Sequence, residues 1–181
     1  MQDEVATGAS AAPMRVIASR DELPTWVGKE LACSDWLRLT QRDIDLFATA
    51  TGDAQWIHID VARAARESPF GTTVSHGFLT LSLLPRLFAS CLRIEDVGIV
   101  VNYGLDKVRF PAPVLSGQRV RGRLVLEDVV VLDGGIMQAR WYATVEIERG
   151  AKPACVAHML TRYYSALPET AATDTHIVAI A

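Results

Sequence analysis

A chain of 181 residues, half of them apolar and 22% charged, has the size and make-up of one folded domain with tails. Its net charge of −3 excludes a sequence-wide field that would hold nucleic acid or an anionic membrane, so any anionic ligand needs a local basic cluster. The three cysteines, Cys33, Cys91 and Cys155, are odd in number, far apart and without a CxxC spacing, which argues against a disulfide framework or zinc site and for a reducing, cytoplasmic setting.

Residues 1–22 are mostly small or polar and contain no apolar signal-type run, so they read as a disordered tail that is not a secretory leader. Residues 23–166 form the expected domain, and 167–181 a second tail. Trp36 to Thr40 alternates like a short strand. Thr40 then serves as an N-cap, with Asp43 three residues on as a weakened capping box. Ile44, Phe47, Ala48 and Thr51 follow at helical spacing, and Gly52 ends the helix. Residues 53–75 read as irregular, with a short helix near 60–67. Ser75-His76-Gly77 opens the most apolar helix of the chain, running to about Leu92 with almost no polar face and a kink expected at Pro85. Thr80, Ser82, Pro85 and Arg86 interrupt its apolar run, which is too short to span a bilayer.

After residue 97 the pattern changes to strands near 98–110, 117–131, 135–149 and 153–165. They are separated by Pro111, Pro113 and Gly117, by Asp133-Gly134-Gly135, and by Gly150 with Pro153. Four successive strands imply an antiparallel meander. One sheet and one fully buried helix satisfy each other only if the sheet curls around the helix. The expected class is therefore α+β, with the outline of a hot-dog fold.

The chemistry-bearing segment is Thr51-Gly52-Asp53-Ala54-Gln55-Trp56-Ile57-His58-Ile59-Asp60, followed by Ser75-His76-Gly77-Phe78. Asp53 and His58 lie five residues apart, and a curled backbone lets both reach one water. A histidine titrates near neutrality and suits proton transfer, and an acid or base so placed contributes roughly 10²–10⁴-fold. Either residue alone is equally well a turn aspartate or a buried, hydrogen-bonded histidine.

The surrounding residues resemble the MaoC-like, (R)-specific enoyl-CoA hydratase family, whose motif is Gly-Asp-x-Asn-Pro-hydrophobic-His-x-Asp. Gly52, Asp53, Ile57, His58 and Asp60 match in register, while Gln55-Trp56 stands where the motif has Asn-Pro, as in the nodulation-protein-N-like branch. The helix start Ser75-His76-Gly77-Phe78-Leu79 and the stretch from Asn102 to Val114 resemble the same branch. The resemblance covers roughly residues 23 to 165. It implies a hot-dog homodimer acting on an acyl-CoA or acyl-carrier thioester, with no cofactor beyond the coenzyme A of the substrate and no metal. Asp53 and His58 are then the catalytic residues and Gly77 N–H the oxyanion donor. Ser75, as N-cap on Phe78 N–H, His76 and a buried Ser82 support them. Trp56 and Phe78 line the substrate pocket. For coenzyme A phosphates the candidates are Arg119, Arg121 and Arg123, which share one strand face, with Lys107 and Arg109 as alternates. The competing functions are a hot-dog thioesterase and a non-catalytic acyl-binding subunit.

Overall fold

A computed structural model describes residues 13–165. The elements in chain order are β1 (Arg15–Ile17), a 3₁₀ helix (Arg20–Trp26), β2 (Glu30–Cys33), β3 (Leu37–Arg38), α1 (Gln41–Thr51), α2 (Trp56–Ile59), α3 (Val61–Glu67), α4 (Gly77–Ser82), α5 (Leu84–Ala89), β4 (Leu92–Ile94), β5 (Val97–Arg109), β6 (Arg119–Val131), β7 (Met137–Ile147) and β8 (Cys155–Ser165). The six-stranded antiparallel sheet has the order β2-β6-β7-β8-β5, with β3 also on β6, and β1 pairs with β4 in parallel. No helix among the described residues is long and apolar enough to cross a membrane.

The capping box at α1 is complete. Thr40 N–H donates to the Asp43 carboxylate at 2.8 Å, and Asp43 N–H donates to Thr40 Oγ1. The Thr40 hydroxyl also donates to that carboxylate, which holds Asp43 below its ordinary pKa. Gly52 closes the helix with φ 76°, a left-handed turn that only glycine makes without strain. These bonds set the direction in which the chain leaves α1, and Asp53 is the next residue.

Strands β7 and β8 alternate along their length and β6 as far as Leu126, before a register shift, so every second residue there faces inward. That inner face mixes large groups with small ones, Trp141 and Met159 beside Ala139, Ala143 and Ala157, all buried. The helix seats deepest at Gly122, where an added Cβ would lie 3.1 Å from Leu87 Cβ. Burial pushes the thiols of Cys91 and Cys155 up to about 11, so neither is a thiolate near neutrality.

Four expectations are corrected. The meander holds for β6, β7 and β8, but β5 pairs with β8 at the far edge of the sheet. Residues 110–118 carry the chain from that edge back to β6. The expected N-terminal tail is shorter than 1–22, because Ile17 and Leu23 are buried in the core and Ser19 caps the 3₁₀ helix; residues 1–12 and 166–181 lie outside the described residues. The apolar helix breaks at Leu83 into α4 and α5, since Pro85 has no N–H to continue the ladder. It is also not enclosed on all sides, for Phe78, Ser82, Arg86 and Ala89 are exposed along one stripe.

Filling the Gly122 seat tests this packing. Gly122→Val should overpack the helix–sheet contact, cost about 1–3 kcal/mol and lower the thermal midpoint by roughly 3–10 °C, measured by circular dichroism melting.

Candidate active site

Three segments converge at the C-terminal end of α1: the loop 52–55, the single turn α2, and residues 73–77 leading into α4. The last segment is clamped on both sides. Val74 N–H donates to the Ile57 carbonyl at 3.0 Å, Ser75 N–H to the Val114 carbonyl at 2.8 Å, and Ser116 N–H to the Thr73 carbonyl at 3.0 Å. Gln41, at the start of α1, ties the same parts together: its amide donates to the His58 carbonyl at 2.7 Å, and its side-chain oxygen accepts from the Thr73 hydroxyl.

This framework fixes two histidine rings. His58 is buried and donates from Nδ1 to the Val74 carbonyl at 2.7 Å. In the neutral ring that leaves Nε2 as the acceptor. His76 is 2% exposed and donates from Nε2 to the backbone carbonyl of Asp53 at 2.9 Å. Its Nδ1 is buried and has no partner among the described residues. The rings stack with centroids 3.7 Å apart and planes at 27°, and Phe47 packs tilted on His76 at 5.0 Å.

A carboxylate oxygen of Asp53 and ring nitrogens of His58 and His76 all lie within 4.8 Å of one another. A water that donates two hydrogen bonds of about 2.8 Å at an open angle spans acceptors roughly 4.5 Å apart, so Asp53 and His58 are spaced to share one. The same trio is a poor cation cage. Ligand lone pairs lie in the ring planes, the two planes are nearly parallel, and each ring already donates one N–H to a backbone carbonyl.

The structure brings Asp53, His58, His76 and Gly77 together and rearranges the roles expected around them. His76, not Ser75, is the N-cap of α4, and it makes no side-chain capping bond. Ser75 Oγ donates to the His76 carbonyl at 3.0 Å and so leaves the N–H groups of the first turn free. Gly77 packs against Phe110, whose ring atoms would stand 3.0–3.2 Å from an added Cβ; close packing is thus one reason for this glycine. Ser82 is exposed and donates to the Phe78 carbonyl of its own helix at 2.8 Å, so the expected buried support of the catalytic loop is absent. Trp56 lies under the Arg63 guanidinium, 4.3 Å from its ring centre. Phe78 is 68% exposed, edge-on to Phe110 at 6.0 Å. Gln41 and Phe110 had no assigned role in the sequence reading. Only their position in space marks them, and no motif would have found them.

The three arginines share the outer face of β6, but each is ion-paired. Arg119 meets Glu148 at 2.9 Å, Arg121 meets Glu146 at 2.7 Å, and Arg123 meets Glu146 and Glu30 at 2.8 Å. Burial would push Glu146 up, yet the two guanidiniums outweigh it and hold its carboxyl below the ordinary range. Among the described residues Lys107 and Arg109 form no ion pair. Between α4–α5 and β5 run two adjoining cavities. One, of about 230 Å³, is lined by Leu81, Ser82, Gly104 and Leu105; the other, of about 190 Å³, by Phe88, Leu92, Trp141 and Thr161. Pro85, Asn102 and Met159 border both.

A curled antiparallel sheet over a central helix, with an aspartate and a histidine beside the helix start, defines a class, and residues 22–146 match the MaoC like domain. The chain belongs to the MaoC-like dehydratase family. Over 150 residues it is 51% identical to 3-hydroxyacyl-thioester dehydratase Z of Mycobacterium tuberculosis, covering 83% of this chain and 99% of that protein. Nodulation protein N of Rhizobium leguminosarum bv. viciae is 46% identical over 141 residues, 77% of this chain and 88% of that one. The unliganded R-hydratase PhaJ1 of Pseudomonas aeruginosa, at 20% identity, superposes with a TM-score of 0.59 over 83% of this chain and 92% of its own, which identifies a shared hot-dog fold.

The two carbonyl bonds make a spectroscopic prediction. In nitrogen-15 correlation spectra of the neutral rings, His58 should carry its proton on Nδ1 and His76 on Nε2. The opposite tautomer at either ring would contradict the assigned bond.

Proposed function

We propose that this chain is an (R)-specific 2-enoyl-thioester hydratase, working in reverse as a 3-hydroxyacyl-thioester dehydratase, with Asp53 and His58 as its catalytic pair. The observation that supports the reading is that an Asp53 carboxylate oxygen and a ring nitrogen of His58 lie within 4.8 Å of each other, while the Nδ1 bond to Val74 leaves His58 Nε2 as the acceptor for a bridging water. That water donates one hydrogen to each. As its oxygen closes on the β carbon, His58 Nε2 takes the proton and the double-bond electrons move toward the thioester oxygen. Gly77 N–H, left free by Ser75, receives the developing negative charge there; such a donor is worth roughly 2.7–4 kcal/mol. The proton then passes from His58 to the α carbon. One O–H bond and the C=C π bond break, one C–O and one C–H bond form, and the thioester stays intact. The steps need no redox cofactor and no metal.

The acyl chain runs along α4–α5 into the two cavities beside Pro85, Asn102 and Met159. Lys107 and Arg109, on β5 and without an ion pair among the described residues, suit the phosphates of coenzyme A better than the paired arginines of β6. The working form is a cytoplasmic homodimer. Among the described residues one edge of β5 has no partner strand, and Ile99, Val100, Tyr103 and Leu105 are exposed on β5. Asp53 is 56% exposed and Phe78 more so, so a second copy laid along this edge would also close the site to bulk water.

Asp53→Asn and His58→Gln should each lower kcat for hydration of a short trans-2-enoyl-CoA by about 10²-fold or more, with KM little changed, and the double variant should be little worse than the poorer single one. Enoyl absorbance and free thiol are followed in the same tube. Thiol release matching the loss of enoyl absorbance would make the protein a thioesterase instead.

Ile99→Arg tests the assembly. The parent should sediment as a dimer at micromolar concentration. The variant should shift toward monomer and lose hydration in proportion.

A further inference from the structure

We infer that His76 is a positioning residue for the dehydratase chemistry, acting through its Nε2–H bond to the backbone carbonyl of Asp53. The inference rests on the Asp53/His58 reading above and adds to it the group that aims the carboxylate.

Asp53 lies in a four-residue loop between α1 and α2, where the other bonds are local. Gly52 N–H returns to Ala48, Ala54 N–H to Gly52, and Asp53 N–H lies 3.4 Å from the Thr51 hydroxyl. Among the described residues, the bond from His76 at 2.9 Å is the one that reaches this loop from elsewhere in the fold. The Asp53 side chain itself is exposed, with Oδ2 3.9 Å from the same Nε2, and no packing holds it. The carbonyl bond therefore sets where the Cα–Cβ vector of Asp53 points, and with it the gap to His58 that a water must fill.

The buried Nδ1 of His76, without a partner among the described residues, argues against a simple core filler. A buried acceptor without a donor is unfavourable, and a phenylalanine would fill the space between Phe47 and His58 without that penalty. What the imidazole supplies, and a phenyl ring cannot, is the N–H on its far side. The stack on His58 holds the plane of the ring and blocks the turn about its Cβ–Cγ bond that would swing that N–H away from the Asp53 carbonyl.

Two substitutions separate the roles. His76→Gln keeps an N–H near the position of Nε2 and loses the ring. His76→Phe keeps the ring and loses the N–H. Positioning through the carbonyl predicts that the Gln variant stays within about fivefold of the parent kcat. The Phe variant should fall by roughly 30-fold or more at a KM within about twofold, although it melts no lower than the Gln variant. A packing role predicts the reverse order, and that order overturns the inference. Because His76 acts through Asp53, adding His76→Phe to Asp53→Asn should cost less than threefold further; a full multiplicative loss would also overturn it. Should the Phe variant not fold, the Gln variant decides: loss of 30-fold or more with a normal melt refutes the positioning bond. If Asp53→Asn alone retains parental turnover, the catalytic pair and this inference fall together. If it is inactive while His76→Phe turns over normally, only this inference falls.

Discussion

The site depends on how closely the central helix can approach the concave face of the sheet. At Gly122 the approach is made possible by the absence of a single carbon, and Leu87 occupies the space that a side chain would take. Ala139, Ala143 and Ala157 keep neighbouring inward positions small, so α5 sinks into the sheet and α4 follows it. The start of α4 is thereby set against Phe110, and His76 and Gly77 are held at a fixed height above the strands. The Asp53 carboxylate, on an exposed loop, acquires a defined position because one buried ring, seated by that helix, reaches across to its backbone.

Both histidines are oriented by backbone carbonyls, those of Val74 and Asp53, and the bond to Val74 leaves His58 with its acceptor nitrogen toward the site. A side-chain carboxylate in place of the Val74 carbonyl would have done more than orient the ring, since its charge would also bias the imidazole toward its protonated form. A neutral carbonyl fixes the tautomer without adding charge. The negative charge beside the two rings then comes from Asp53, and it stands on the solvent side.

Much of this fold was legible in the chain. Alternation of buried and open positions marks β6, β7 and β8 because one face of each is covered, and Thr40, Asp43 and Gly52 mark the two ends of α1 by side-chain chemistry alone. The pairing of β5 was not legible. Most of its side chains are open to solvent in the single chain, so its pattern carries no inward period, and nothing local encodes which free edge a strand will take. The folded residues 13–22 were missed because a three-residue strand and a short 3₁₀ helix carry too few positions for a period. At the site, Asp53, His58 and Gly77 were readable as residue types in register. Their partners were not, since a backbone carbonyl has no letter of its own. Ser82 shows the converse: its letter matched the family pattern, but its hydroxyl turns back to its own helix.

The departure from the family motif at Gln55-Trp56 becomes intelligible in these terms. The motif's proline falls at the first position of α2, where a fixed φ and a missing N–H cost a helix nothing, so it stiffens the loop between the two catalytic residues. Here Trp56 occupies that position, and Gln55 before it adopts φ −59° and ψ 135° with no side-chain cap. The stiffness comes instead from outside the loop. Arg63 lies over the Trp56 ring at 4.3 Å, its backbone N–H donates to the Asp60 carboxylate, and its guanidinium pairs with Glu67 one turn on. A covalent constraint on one residue has been exchanged for a stack that spans α2 and α3. Such an exposed stack is worth about 0.5–1 kcal/mol, less than a ring closure at the same residue can enforce, so the loop leans more heavily on its remaining tertiary tie. That tie is the bond from His76 to Asp53. The same exchange that removes the proline therefore raises the share of the Asp53 loop's geometry carried by one buried histidine.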